Sequence, residues 1–254
     1  MGKLRYAHKI THNFGRTMKA VLLMAFVLFA GRLASQSLPV QPDNREMRVR
    51  YTPDFEVTGD GSASAWDAAE WIALTQRRAT GGTYATSLKV LYSGTGIYCL
   101  FRCEDRVITA TLKEHFTDLY KEDVVEVFFW PDESVPVYFE YELSPLNYEL
   151  AIMVPNYDGN FFGWLPWHYE GERVTRHATK VTDKDGDATW TAEMFIPFAL
   201  LKPLIPAPPQ EGTRWRANFY RIDYDGGISQ WSWRLTQKNF HDYKSFGTIV
   251  FEKD

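Results

Sequence analysis

From residue 87 onward the chain is a succession of short runs rich in β-branched and aromatic residues, cut by Gly, Asp, Asn and Pro. The runs are Ser87 to Tyr92, Gly96 to Glu104, Val124 to Trp130, Val137 to Leu143, Glu149 to Val154, Arg173 to Lys180, Trp190 to Ile196, Arg214 to Asp223, Ile228 to Arg234 and Phe246 to Glu252. Each has the length and composition of a strand, and the breaks between them are turn-forming. Helical signals are confined to Ala65–Leu74, one or two turns anchored by Trp66 and Trp71, and Phe198–Lys202, one turn ended by Pro203. So many short strands without long helices predict an all-β fold, an antiparallel β-sandwich of jelly-roll type.

A chain of 254 residues, 45% hydrophobic and 16% aromatic, can bury a sizeable single core. The N-terminus stands apart from it. Ala20–Gly31 is a short apolar run behind Lys19, followed by the small residues Ala34 and Ser35, which reads as a signal peptide over residues 1–35. The run is too short to span a bilayer comfortably. Met18-Lys19 is a tidier start than Met1. The chain is therefore expected to be secreted or periplasmic, with no stable membrane span after cleavage. Residues 36–54 read as a Pro- and charge-rich lead-in with at most an edge strand, and residues 55–254 as one free-standing domain that acts as a monomer. Residues 1–35 hold six basic and no acidic side chains, so their removal takes the formal charge from −4 to −10. A surface that acidic is unsuited to nucleic acid or anionic membranes.

Cys99 and Cys103 lie four residues apart in one run, roughly 13 Å along a strand, which is outside disulfide reach. Both read as free core thiols. No nucleophile elbow, zinc-protease helix, haem-attachment pair or phosphate loop is present. Asp183–Asp187 (DKDGD) reads as a hairpin turn, since it lacks the spaced Glu of a calcium loop. The carboxylates Asp123 and Glu126 in EDVVEVFFW, and Glu140 and Glu142 in YFEYEL, leave a catalytic alternative open. That alternative is a glycoside hydrolase using Glu126 with Glu140 or Glu142.

The last forty residues interleave aromatic rings with Arg, Gln, Asn and His. Such a mixture suits a ligand with apolar faces and polar edges, as a sugar has. Eight segments then resemble, in order, family 9 carbohydrate-binding modules: WDAA at Trp66, SLKVLYSGTGIYCLFRCED, YKEDVVEVFFWPD, YFEYELSPLN, WTAEMFIPFALL, GTRWRANFYRID, ISQWSW and NFHDYKSFGTIVF. The resemblance implies a β-sandwich that binds an oligo- or polysaccharide without catalysis, two rings clamping a chain-end sugar. Tyr120, three residues before Asp123, and Phe240, six residues before the Phe246-Gly247 pair, match the clamp positions. Family members mostly have Trp there, so both rings here are smaller. Glu126 matches a hydroxyl-binding glutamate, whereas the family's sugar-binding arginine has no counterpart in YFEYEL. Arg221 on the NFYR run is our candidate for that positive donor, with Trp233 and His241 bordering the pocket. Structural calcium is a further implication, with Asp60 and Asp105 as candidate ligands.

Overall fold

Strand formation follows the β-rich runs closely. In the computed structural model, which describes residues 46–184 and 187–253, the first strands are β1 (Glu46–Tyr51), β2 (Ile72–Ala73), β3 (Thr75–Ala79), β4 (Thr86–Tyr92) and β5 (Gly96–Asp105). The middle of the chain forms β6 (Val124–Trp130), β7 (Val137–Leu143), β8 (Glu149–Tyr157), β9 (Asn160–Phe161) and β10 (Leu165–Pro166). The last third forms β11 (Arg176–Lys184), β12 (Asp187–Pro197), β13 (Arg214–Asp223), β14 (Ser229–Ser232) and β15 (Gly247–Glu252). The expected leader, most of the lead-in, and Asp185-Gly186 of the DKDGD turn lie outside the described residues. Among the described residues no helix is long and apolar enough to cross a membrane.

The strands make one open, mixed sheet in the order β10-β8-β7-β6-β13-β15-β1-β4-β5-β12-β11, which folds over on itself into a sandwich. Period-two alternation sends Val125, Val127 and Phe129 of β6 and Phe139 and Tyr141 of β7 into the space between the layers. There they meet Leu88 and Val90 of β4, Cys99 and Phe101 of β5, and Trp190 and Met194 of β12. Both cysteines are free and buried there, as the strand spacing required.

Two departures from expectation matter. Glu46–Tyr51 is no edge strand: β1 runs parallel to both β15 and β4 and lies between them. Its charges hide a clean alternation, for Met47 and Val49 are buried while Glu46, Arg48 and Arg50 face solvent. The other departure is that β6 and β7 are buried on both faces. A second apolar cluster covers their outer side, where Phe128, Tyr138, Ile152 and Tyr220 meet Leu119, Phe240, Tyr243 and Phe246 from loops. The helical signals shrink to a 3-10 turn at Ser64–Ala68 and to hydrogen-bonded turns around Leu200 and Leu201.

The first loop is tied to the opposite outer face by Glu193 of β12, which is fully buried. Its carboxylate accepts from the N–H groups of Thr58, Gly59 and Gly61 and from the indole N–H of Trp66. Gly59 sits at φ +85°, and a Cβ there would approach the Ala178 backbone to 2.9 Å, so this corner has no room for a side chain.

Candidate functional site

The outer face of β6 and β7 carries an unusual run of acid. In the β6–β7 register Glu126 stands opposite Glu142, and Glu140, two residues earlier on β7, shares that face. On the other side Glu126 is opposite Tyr220 of β13. All three carboxylates are buried, at 2%, 3% and 1% exposure for Glu126, Glu140 and Glu142. Burial pushes the Glu126 carboxyl up to about 8. Burial and the neighbouring Glu126 charge push Glu140 and Glu142 well above the ordinary carboxylate range.

These carboxyls floor a cavity of about 290 Å³, at the small end of ligand-sized pockets (roughly 300–1,000 Å³). Its walls are loops. Tyr120 comes from the 3-10 turn Leu119–Lys121 before β6, and its carbonyl is held by the Tyr224 hydroxyl at 2.8 Å. Trp164, between β9 and β10, stands edge-on to Tyr120 with ring centroids 6.0 Å apart. Opposite lie Phe240 and His241 from the loop before β15. Phe240 stacks on Tyr220 at 4.0 Å, and the Arg77 guanidinium lies 5.3 Å from its ring centroid. His241 stacks on Phe161 at 4.2 Å, and burial lowers its pKa to about 4, so it is neutral at pH 7. Arg77, Gln230, Lys238 and Asn239 give the rim its donors.

Tyr120, Glu126, Phe240 and His241 therefore converge on one pocket, and Arg221 and Trp233 do not. On β13 Ile222 lines the pocket and Tyr220 shares its outer face, so Arg221, one step along, points into the sandwich. It is fully buried there, donating to Asp105 and Asp223, to the Glu104 carbonyl and to the Thr86 hydroxyl, and stacking over Trp231. Trp233 packs on Phe219 and closes over Gly247, on the core side. The cationic wall is supplied instead by Arg77 of β3. Its terminal nitrogens bond Gln230 and the carbonyls of Thr236 and Lys238, and its Nε has no partner.

Arg77 and Trp164 escaped the sequence reading. Thr75–Ala79 carries too much charge to read as a strand, and the GNFFGWLPW segment showed aromatics with no periodicity to place them.

The two expected calcium ligands, Asp60 and Asp105, are both already engaged by donors of the protein. Asp60 accepts from Thr58, Ser62 and Lys180, and forms a surface turn. Asp105 does gather with Asp123 and Asp223, but each oxygen of the three already has a donor. The Arg221 guanidinium occupies the place of a counter-charge. Burial pushes Asp105 up to about 6 despite it.

An all-β sandwich whose pocket is built by loops over one outer sheet face has the architecture of a ligand-binding module. The profile described as "Carbohydrate family 9 binding domain-like" matches residues 57–254, and the chain belongs to that family. Among solved structures, a Bacteroides uniformis protein described as a candidate carbohydrate-binding protein is similar at 17% identity and a TM-score of 0.68. That alignment covers 82% of this chain and 99% of that one. A family 9 carbohydrate-binding module from Caldicellulosiruptor kristjanssonii is similar in its complex with glucose, at 15% identity and a TM-score of 0.59, covering 82% of this chain and 96% of that one. In its complex with cellotriose the TM-score is 0.58 at 15% identity, covering 82% and 95%. Curated proteins offer no match to the sequence.

Proposed function

We propose that this protein binds carbohydrate without catalysis, holding the end of a glycan chain in the pocket bounded by Tyr120, Trp164, Phe240 and His241. The observation that carries this is convergence. Three loops far apart in the chain, the adjacent strands β6 and β7, and β3 bring aromatic rings, carboxyls and an unpartnered arginine nitrogen to one small cavity. Similar folds from Caldicellulosiruptor kristjanssonii are seen with glucose and with cellotriose, which supports a saccharide as the ligand class.

In this reading the half-buried Tyr120 ring offers a stacking face. Phe240, stacked on Tyr220 and covered by Arg77, shapes the opposite wall. The Arg77 Nε–H and the floor carboxyls fix hydroxyls, so Arg77 takes the role expected of Arg221. A cavity of about 290 Å³ has room for a single sugar unit, which is the basis for proposing a chain end. The apolar run Ala20–Gly31 is the basis for proposing an exported protein.

Calorimetric titration with mono- and oligosaccharides, with free and with blocked reducing ends, tests the proposal. Micromolar to millimolar Kd values are expected, on the order of 4–8 kcal/mol. Tyr120→Ala should weaken binding about tenfold or more, a stacking loss of roughly 1.4 kcal/mol. No heat from any saccharide with a folded sample would overturn the reading.

A further inference from the structure

The floor of the pocket is built from carboxyls that no cation of the described residues accompanies. Glu126, Glu140 and Glu142 each place one oxygen within 4.8 Å of the others. Oε2 of Glu140 and Oε2 of Glu142 are both buried, and neither accepts a hydrogen bond. No Lys or Arg is paired with any of the three among the described residues. The nearest ring nitrogen, His241 Nδ1, stays 3.7 Å from Glu140 Oε2 and is engaged by the Tyr138 hydroxyl at 2.7 Å. Arg77 at the rim is committed to Gln230 and to loop carbonyls.

The contrast with Asp105, Asp123 and Asp223 is instructive. That cluster holds as many carboxylates, yet every oxygen there has a donor and Arg221 supplies the counter-charge. It is complete as built. The glutamate cluster has no such counter-charge and leaves two oxygens without a donor, and a buried acceptor left unsatisfied is among the costlier features a fold can carry.

A cation supplies what is missing. Oxygens bound to one calcium at about 2.3–2.6 Å can be at most roughly 4.6–5.2 Å apart, and the three glutamates meet that limit. A donor set made only of carboxylate oxygen selects hard divalent ions. Calcium takes about 6–8 oxygens, so three protein ligands leave positions open toward the cavity.

We propose that Glu126, Glu140 and Glu142 hold a calcium-class divalent cation at the floor of the pocket, and that the ion presents its open positions to adjacent hydroxyls of a saccharide. The second half rests on the saccharide reading given above; the first does not.

Calorimetry of chelator-stripped protein with calcium chloride alone tests the ion. Wild type should bind one equivalent more than Glu140→Gln or Glu142→Gln. At a hundredfold excess over Kd its Tm should rise by about 5–10 °C, and the variants' by clearly less. Equal stoichiometry in all three proteins, or none in wild type, overturns the site and leaves protons to fill the floor. If the glutamine variants fail to fold, terbium replaces calcium in wild type. Its emission, excited through Trp164 in the same pocket, should fall several-fold in Trp164→Phe, and unchanged emission counts equally against the site. Titrations of glucose and cellotriose with calcium and with chelator then separate the two halves. Binding only with calcium supports the bridge. Equal binding in chelator overturns the bridge and keeps the saccharide pocket. Calcium uptake with no saccharide binding defeats the saccharide reading and keeps the ion.

Discussion

Replacing Arg221 with Met separates two roles that an arginine on β13 could have. In the sandwich interior its guanidinium is the counter-charge of Asp105 and Asp223 and also satisfies the Glu104 carbonyl, all at zero exposure for the arginine. Removing one partner of a buried ion pair strands the others without solvent, a loss of about 3–5 kcal/mol. For a domain of this size each kcal/mol moves Tm by about 2–4 °C, so the midpoint should drop by roughly 6–20 °C. Calorimetric melting measures the drop, and saccharide titration well below the variant's midpoint measures binding of what remains folded. Affinity should be unchanged, because Arg221 faces away from the cavity. Arg221→Lys should recover only part of the loss, since one ammonium cannot span both carboxylates and the carbonyl. A variant that keeps the wild-type Tm and loses affinity would refute the assignment of Arg221 to the core.

Phe240→Ala should destabilise by about 3–5 kcal/mol in chemical denaturation, because that ring is 7% exposed and stacked on Tyr220. Trp164→Ala, at an exposed ring, should leave the unfolding midpoint nearly unmoved while weakening cellotriose binding about three- to tenfold in calorimetry. His241 has a folded pKa near 4, below its unfolded value of 6.5, so its contribution to stability is complete above pH 6.5 and is lost as pH falls toward 4. Urea titrations should show wild type losing up to about 1.4 kcal/mol per pH unit across that window relative to His241→Asn, and parallel pH profiles would contradict this. Glu193→Ala removes the acceptor of three loop N–H groups and the Trp66 indole, and a loss of about 2–4 kcal/mol with faster amide exchange at Thr58–Gly61 is expected.

What the sequence discloses of this fold is its local grammar. The strands at Val124–Trp130, Val137–Leu143 and Arg214–Asp223 begin and end where composition changes, because turn residues bound them directly. The place of β1 was hidden, since its partner β15 lies at the other end of the chain and two inward residues make a faint pattern. At the site, motif order located Tyr120, Glu126 and Phe240. It misassigned Arg221 because a face is decided by a single step along a strand, and only the pairing of Tyr220 with Glu126 fixes which step points outward. Arg77 and Trp164 arrive from segments without periodic signal, so only tertiary proximity reveals them.

The parallel seating of β1 between β15 and β4 has a kinetic consequence. A surface ion pair across that seam joins Arg48 to Glu252, residues 204 positions apart. The middle of the sheet therefore cannot close until β15 has been synthesised, and until then β1 has only its short pairing with β4. Such long-range closure favours slow folding with exposed strand edges in the meantime. A nascent chain halted before Gly247 would leave open one edge of β1 and the Arg214–Ala217 end of β13, both of which β15 covers, free to meet chaperones or the same edges on neighbouring ribosomes.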